Sequence, residues 1–204
     1  MKNECKKDEN AIAFFDFDGT ITRQDSFFLF LKFVLKNKFY IKLIINLPIL
    51  IFYKLNLISN AKAKELVLKL CIKNMEEKEL DSKMEDFALV LESICMQSAI
   101  EKIKWHKNNN HEVVIVSASL ELYLKKLAKK LGMELIATKL KIENGKITGK
   151  LGSPNCYGEE KVKRIKEKYD LSLYSNIYVY GDSKGDKEML EIASPSKAFY
   201  RVFS

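Results

Sequence analysis

Short apolar runs that stop at polar or glycine residues recur along the chain, and each predicts a buried β-strand. These runs occupy residues 11–15, 113–116, 134–138, 177–180 and about 198–202. Amphipathic stretches with helical spacing alternate with them in the second half of the chain, at about 119–132, 158–169 and 186–193. Such alternation is typical of a parallel sheet covered by helices. The sequence therefore predicts an α/β fold built on a doubly wound parallel sheet.

One long segment, residues 23–105, departs from this alternation, because no run within it predicts a strand. Its apolar residues recur at helical spacing, which indicates an all-helical cap inserted into the α/β core. The core then consists of residues 1–22 and 106–204. Within the core, residues 141–148 alternate around an Asn-Gly dipeptide, which favours a tight hairpin turn. We expect this β-hairpin to form a small flap beside the main sheet.

The most apolar stretch of the chain lies in the predicted cap, at residues 39–58. A helix that spans a bilayer takes about 20 predominantly apolar residues. This stretch is interrupted by Lys42, Asn46, Pro48 and Lys54. The interruptions favour two helices that break near Pro48 over one transmembrane helix. Two placements fit such helices, namely burial in the core of the cap and contact with the surface of a membrane.

Composition and charge narrow the classes of function. With 47% hydrophobic and 30% charged residues, and only 8 Gly and 3 Pro, the chain is neither disordered nor fibrous. The net charge of +8 comes from lysines interspersed with acids. Because no basic patch is interleaved with aromatic residues, we expect no nucleic-acid partner. Four widely spaced cysteines and a charged N-terminus without an apolar signal segment indicate a cytoplasmic protein. His106 and His111 flank an asparagine-rich turn, where we expect them at the surface.

Polar residues follow three of the predicted strands at the point where each strand ends. They form the pairs Asp16 and Asp18, Ser117 and Ser119, and Asp182 and Asp186. In open parallel sheets, ligands bind beyond the carboxyl ends of the strands. We therefore expect these side chains to converge on one site, where Ser119 also caps the helix that follows it.

The carboxylates of this group predict a metal site suited to phosphoryl chemistry. Asp16 and Asp18 share a face in an extended backbone, and gathered carboxylates repel one another unless a cation neutralises them. Oxygen ligands favour a hard cation, here Mg²⁺. A calcium-binding EF-hand is excluded, since Phe27 stands where its twelfth-position Glu would be. A cation beside the Ser117 hydroxyl and the Lys161 ammonium is an arrangement that holds a transferring phosphoryl group.

Four motifs in this order resemble those of the haloacid dehalogenase superfamily of aspartate-dependent phosphohydrolases. They are FFDFDGT (14–20), VVIVSAS (113–119), the lysine of GEEKVKRIKEK (158–168) and YVYGDSKGDKEML (178–190). The insertion after the first motif and the hairpin after the second resemble the phosphoserine-phosphatase-like branch. Within that branch, TRQDSFF near the start and CYGEEKVKRIKEK near the end look most similar to bacterial phosphatidylglycerophosphatase C-type hydrolases. The resemblance implies a Rossmann-like core with a helical cap.

The resemblance also implies a role for each residue of these motifs. Asp16 matches the nucleophile that forms an aspartyl-phosphate, and Asp18 matches the acid that protonates the leaving group and later deprotonates the hydrolytic water. Mg²⁺ would be held by the Asp16 carboxylate, the Asp18 backbone carbonyl and Asp182. The phosphate-binding residues would be Gly19, Thr20, Ser117, Ala118 and Lys161, with Asp186 and Ser183 in support.

Two departures from the phosphoserine phosphatase pattern bear on the substrate. Those enzymes have a glutamate nine residues after the nucleophile, where this sequence has Asp25, which is therefore a candidate for substrate selection. They have Ser-Gly-Gly where this chain has Ser117-Ala118-Ser119.

Three hypotheses about function follow from these observations. The leading one is a Mg²⁺-dependent phosphomonoester hydrolase with a small-molecule substrate. The second is a phosphatase of phosphatidylglycerophosphate-type lipids, peripheral to the inner face of the membrane through residues 39–58. The third is a non-catalytic basic protein that binds phosphorylated ligands.

Overall fold

The computed structural model describes residues 10–204, and the predicted lack of a signal segment concerns residues 1–9, which lie outside that range. The strands of the described part are β1 (Ala11–Phe15), β2 (Glu112–Leu120), β3 (Glu134–Thr138), β4 (Leu140–Glu143), β5 (Lys146–Leu151), β6 (Asn176–Gly181) and β7 (Ala198–Tyr200). Five of them form a parallel sheet in the order β3-β2-β1-β6-β7, and β4 and β5 form an antiparallel hairpin. The predicted parallel sheet and hairpin are confirmed.

The helices of the described part alternate with these strands except after β1, where several helices follow in succession, and from β3 to β5, where no α-helix intervenes. They are α1 (Ser26–Leu35), α2 (Phe39–Lys54), α3 (Asn60–Cys71), α4 (Glu77–Ser82), α5 (Met84–Ser93), α6 (Gln97–Asn108), α7 (Glu121–Leu131), α8 (Glu159–Lys168) and α9 (Lys187–Glu191). Helices α1 to α5 therefore occupy the sequence in which no strand was predicted.

The sheet is covered by helices on both faces, which explains the continuous apolar runs of its strands. Along β1, Ala13 and Phe15 pack into the apolar cluster on one face, and Ile12 and Phe14 pack into the cluster on the other. Helices α6 and α7 contribute to the first cluster, and α8 and α9 contribute to the second. Between these two layers, the parallel pairing of β1 with β2 and with β6 places the carboxyl ends of the three strands side by side.

The helices that follow β1 pack directly against the helical layer of the sheet. The ring of Phe30 in α1 lies 5.0 Å from that of Tyr123 in α7, and the ring of Phe87 in α5 lies 5.5 Å from it. Thr22 also forms an isolated antiparallel β-bridge with Cys95. The division into a core of residues 1–22 and 106–204 and a cap of residues 23–105 stays a prediction.

The prediction of two helices broken near Pro48 is wrong, because α2 is one helix that contains Pro48. Proline removes one backbone donor and crowds the carbonyl four residues earlier. The neighbouring turns keep their helical backbone, and Asn46 Nδ2 donates a hydrogen bond to the Lys42 carbonyl oxygen at 2.7 Å. Helix α3 is capped by Ser59, whose side chain accepts a hydrogen bond from the Lys62 N–H at 3.2 Å.

Helix α2 exposes most of its apolar side chains. Only Phe39 and Asn46 among its residues are buried, whereas Ile41 is 64% exposed and Ile44 is 71% exposed. The exposed apolar face of α2 consists of Tyr40, Ile41, Ile44, Ile45, Leu47, Ile51, Phe52 and Tyr53, and it continues into Leu55 and Leu57. None of the helices in residues 10–204 has both the length and the apolar content that crossing a bilayer requires.

The two histidines are buried, contrary to the expectation that they lie at the surface. The Nδ1 atoms of His106 and His111 are 2.8 Å apart, and His106 Nε2 lies 2.9 Å from the Tyr180 hydroxyl. Burial, with His111 next in importance, lowers the pKa of His106 to about 3. The asparagine turn is itself exposed, but α6 turns His106 inward toward the sheet.

Candidate active site

The polar residues predicted to converge lie at the carboxyl ends of β1, β2 and β6. A cleft of about 340 Å³ opens over this edge, and its opposite wall is formed by residues of α1, α2 and α3. Asp16, Ser117 and Lys161 line the floor, and Leu50 and Tyr53 of α2 line the other side. The cleft therefore joins a charged floor to a partly apolar wall.

Lys161 is the most constrained group of the floor. It lies in the first turn of α8 and is only 1% exposed. Its Nζ donates hydrogen bonds to Asp16 Oδ1 at 2.5 Å, to Asp186 Oδ1 at 2.6 Å and to the Val116 carbonyl oxygen at 2.8 Å. These three acceptors satisfy all three ammonium protons, so the lysine is fixed between two carboxylates.

The ionisation of this cluster is set by burial and by the shared lysine. Burial raises the pKa of Asp16 to about 7, against the opposing effect of Lys161. Burial also opposes ionisation of Asp186, but Lys161 and Ser183 outweigh it and hold the pKa of Asp186 below its usual range. The pKa of Lys161 is raised, because its two carboxylate partners outweigh the cost of burial.

Three carboxylates of this floor fit a divalent cation. Oxygen atoms of Asp16, Asp182 and Asp186 all lie within 4.8 Å of one another. Gly19, with φ +84°, packs so closely on Asp182 that a Cβ there would lie 2.3 Å from Oδ2. The residues present therefore suit Mg²⁺, an oxygen-seeking ion of small radius. The sequence placed Asp186 only in support, whereas the structure places it among the three clustered carboxylates.

Asp18 turns its carboxylate away from this cluster, toward α1 and the end of β2. Its Oδ1 accepts a hydrogen bond from the Ser26 backbone N–H at 2.7 Å, and its Oδ2 accepts one from the Ser119 hydroxyl. Burial, followed by the nearby Asp25, raises the pKa of Asp18 to about 6. A carboxyl group that titrates near neutral pH can act as an acid and as a base in one reaction cycle.

The remaining predicted residues lie around the same floor. Ser117 is 1% exposed and its Oγ accepts a hydrogen bond from the Ser119 N–H at 3.0 Å. Thr20 Oγ1 lies 3.5 Å from Asp182 Oδ1. The Ser183 hydroxyl donates to Asp186 Oδ2 at 2.8 Å, and the Ser183 N–H donates to the same oxygen at 3.0 Å as part of a capping box, so both bonds orient that carboxylate. Asp25 lines the cleft and also caps α1, accepting from the Phe28 N–H at 2.9 Å.

Sequence reasoning missed Lys64, which the fold brings to the cleft. It placed Ser119 at the site but expected this residue also to cap the next helix, whereas Ser119 contacts Asp18 and Leu120 precedes the first residue of α7. Lys64 of α3 donates to the Ala118 carbonyl oxygen at 2.5 Å and to Asn155 Oδ1 at 2.9 Å. Burial lowers the pKa of Lys64 to about 8. Only the alternation of β2, which puts residues 117 and 119 on one face, offered a signal in advance.

The chain matches a known protein family. A model of haloacid dehalogenase-like hydrolases matches residues 13–191 of the chain. The chain belongs to this family. Its membership makes the protein an enzyme and replaces the alternative of a non-catalytic phospho-ligand-binding protein.

Individual relatives of this haloacid dehalogenase-like hydrolase agree with the assignment. Protein CicA of Caulobacter vibrioides is 32% identical over 200 residues, which cover 96% of this chain and 87% of that protein. The probable phosphatase Rv3661 of Mycobacterium tuberculosis is 35% identical over 105 residues, covering 50% of this chain and 36% of that protein. A phosphoserine phosphatase structure with a phospho-aspartyl intermediate analogue has a TM-score of 0.60 at 21% identity, covering 90% of this chain and 83% of that one. The phosphoserine-phosphatase-like fold is thus confirmed.

Replacing Lys161 by methionine tests the central ion pair. The variant leaves Asp16 and Asp186 buried without their shared cation, so we expect it to lower the free energy of unfolding by about 3–5 kcal/mol in metal-free buffer at pH 8. Urea denaturation followed by circular dichroism measures the difference. The matched control is Lys163→Met, since that lysine lies in the same helix with 62% of its side chain exposed. Equal free energies of unfolding for the two variants would contradict a stabilising role of the Lys161 ion pair.

Proposed function

We propose that this protein is a Mg²⁺-dependent phosphomonoester hydrolase that forms an aspartyl-phosphate on Asp16. The observation that supports it most directly is the contact of buried Lys161 with both Asp16 and Asp186 at the floor of an open cleft. An ammonium in this place favours the ionised form of Asp16 beside other acids. It also offers a positive charge to the oxygens of a bound phosphoryl group.

Two steps complete the hydrolysis. In the first, an Asp16 oxygen attacks phosphorus, the bond from phosphorus to the ester oxygen breaks, and Asp18 gives its proton to that oxygen. In the second, a water molecule attacks the phosphorus of the aspartyl-phosphate while Asp18 takes a proton from it. The bond from phosphorus to Asp16 then breaks, which releases inorganic phosphate and restores both carboxyl groups.

The other residues of the floor hold the phosphoryl group in line with Asp16. We assign its oxygens to the Ser117 hydroxyl and to backbone N–H groups near Gly19 and Ala118, with Thr20 beside them and the positive charge of Lys161 close by. Asp16 and Asp182 would hold Mg²⁺ with Asp186 close by, together with the Asp18 carbonyl implied by the family pattern. When bound, Mg²⁺ supplies charge that stabilises the negative oxygens of the transferring group.

A lipid phosphate is the second candidate substrate. Leu50 and Tyr53 of α2 line the cleft, and the exposed apolar face of α2 lies on the same helix. From Ser26 to Lys64 the chain has seven lysines and no acidic residue. An apolar helix with a cationic surround is suited to the surface of an anionic membrane. In this version of the proposal, α2 contacts the inner face of the membrane and the cleft accepts a lipid headgroup phosphate.

The nucleophile is tested by Asp16→Asn. The amide cannot attack phosphorus as a carboxylate does, so we expect turnover of phosphate esters to fall by at least about a thousandfold. Release of inorganic phosphate from p-nitrophenyl phosphate measures it. Asp86→Asn, at an exposed position of α5, is the control and should keep full activity. Retention of more than a few per cent of activity in Asp16→Asn would rule out the covalent route.

Metal removal tests the cation. We expect EDTA to abolish activity and Mg²⁺ to restore it, whereas Ca²⁺ should restore little, because it prefers more ligands in a looser geometry. The measurement is the initial rate after dialysis, with each ion added back separately. Full activity in EDTA would refute the metal-dependent proposal and leave the family assignment intact.

Vesicle binding separates the two substrate classes. If α2 contacts lipid, the protein should sediment with phosphatidylglycerol vesicles at low salt, less at high salt, and little with phosphatidylcholine alone. Each lysine near an anionic surface contributes about 1 kcal/mol. The double variant Ile41→Gln, Ile44→Gln should lose most of the binding. Leu173→Gln changes a side chain of similar exposure outside α2 and serves as the control. No binding to either vesicle leaves soluble phosphate esters as the substrates.

A further inference from the structure

Hydrogen bonds hold both carboxylate oxygens of Asp18. The Ser26 backbone N–H donates to Oδ1 at 2.7 Å, and the Ser119 hydroxyl donates to Oδ2. The two donors come from different parts of the chain, since Ser26 begins α1 and Ser119 lies near the end of β2. A carboxylate bound at both oxygens cannot rotate freely about its terminal bond.

A chain of hydroxyl groups extends behind Ser119. Its Oγ lies 3.0 Å from Ser26 Oγ, which lies 3.2 Å from the Tyr123 hydroxyl. Ser26 and Tyr123 are fully buried and Ser119 is 4% exposed. Each hydroxyl has one proton to donate, and an ionised carboxylate only accepts. While Asp18 is ionised, the donation therefore runs from Tyr123 to Ser26, from Ser26 to Ser119, and from Ser119 to Asp18.

Two further observations fix the position of Ser119 itself. Its N–H donates to Ser117 Oγ at 3.0 Å, and the pairing of β2 with β3 shifts register between Ser117 and Leu120. Burial, followed by the charge of Asp18, raises the pKa of Tyr123, so that this hydroxyl keeps its proton at the start of the chain. A glycine at position 119, as in the Ser-Gly-Gly pattern, would offer no hydroxyl to Asp18.

We propose that Ser119 is a positioning residue for proton transfer: backed by Ser26 and Tyr123, it fixes the Asp18 carboxyl group in the orientation that protonates the leaving oxygen. The proposal rests on the hydrolytic function proposed above. General acids accelerate such steps by about 10²–10⁴-fold, and only while the proton lies on the path to its acceptor. A freely rotating Asp18 would lose part of that factor and leave the attack by Asp16 unchanged.

The test compares two esters that differ in their need for a proton. An alkyl phosphate such as glycerol 3-phosphate has a leaving group that must be protonated, whereas p-nitrophenolate leaves with little assistance. We expect Ser119→Ala to lower kcat/KM for glycerol 3-phosphate by about 10–100-fold and for p-nitrophenyl phosphate by less than about 3-fold. The ratio kcat/KM reports the steps up to formation of the phosphoenzyme, where the leaving group departs. A general structural defect in the variant would lower kcat/KM for both esters by the same factor.

Matched variants make each outcome decisive. Tyr123→Phe keeps the ring and removes the last donor of the hydroxyl chain. It should therefore also lower kcat/KM for glycerol 3-phosphate relative to kcat/KM for p-nitrophenyl phosphate, by a smaller factor than Ser119→Ala. Ser93→Ala removes a hydroxyl that donates to the Val90 carbonyl oxygen at the exposed end of α5, and it should leave both rates unchanged. Thermal unfolding checks that each variant is folded. If Ser119→Ala does not fold, the Tyr123→Phe ratio decides.

The failure of this inference is distinguishable from failure of the proposed function. Equal losses for the two esters, or no loss for either, in Ser119→Ala would overturn the positioning role while the wild-type enzyme still hydrolyses p-nitrophenyl phosphate. A wild-type protein that hydrolyses neither these esters nor any other phosphomonoester in the presence of Mg²⁺ would overturn the function and the inference together.

Discussion

The buried ion pair that Lys161 makes with Asp16 and Asp186 is the constraint on which the site depends. Removing an ammonium from water is costly unless it gains close partners of opposite charge, and both carboxylates here are buried with the lysine. The arrangement requires β1, α8 and the turn after β6 to meet at one point. The sheet order, with β1 between β2 and β6, brings them there. The Lys161 ammonium stabilises the two buried carboxylates, and in the proposed function the same positive charge attracts the oxygens of a phosphoryl group.

The cleft divides into two parts with different origins. Its floor comes from strand ends that the hydrogen bonds of the parallel sheet hold in register, and it has little freedom to vary. Its opposite wall comes from helices between β1 and β2, where Leu50, Tyr53 and Lys64 face the cavity. In the proposed function, the first part carries out the reaction. The second part, an apolar helix with lysines around it, selects among phosphate esters.

The sequence was sufficient to predict the parallel sheet, the hairpin and the residues of the floor, because strands end where the apolar runs stop and topology places those ends together. It was insufficient wherever a contact joins distant parts of the chain. Ser26 and Ser119, 93 positions apart, meet only through the packing of α1 on the sheet. The inward turn of His106 follows from the rotation of α6 rather than from its polar neighbours. The continuity of α2 through Pro48 depends on local backbone bonds that composition does not reveal.

The buried histidine pair makes the stability of the fold depend on pH. Only one proton can lie between the two Nδ1 atoms, and the buried His106 has a pKa of about 3 against an ordinary value of 6.5. Below pH 6.5, His106 of the unfolded chain therefore binds a proton that His106 of the native chain does not bind. The contribution of His106 to stability is complete above that pH and is lost progressively as the pH falls toward 3. Mild acid thus weakens the packing of α6 on the sheet through a histidine and not through the carboxylates of the active site.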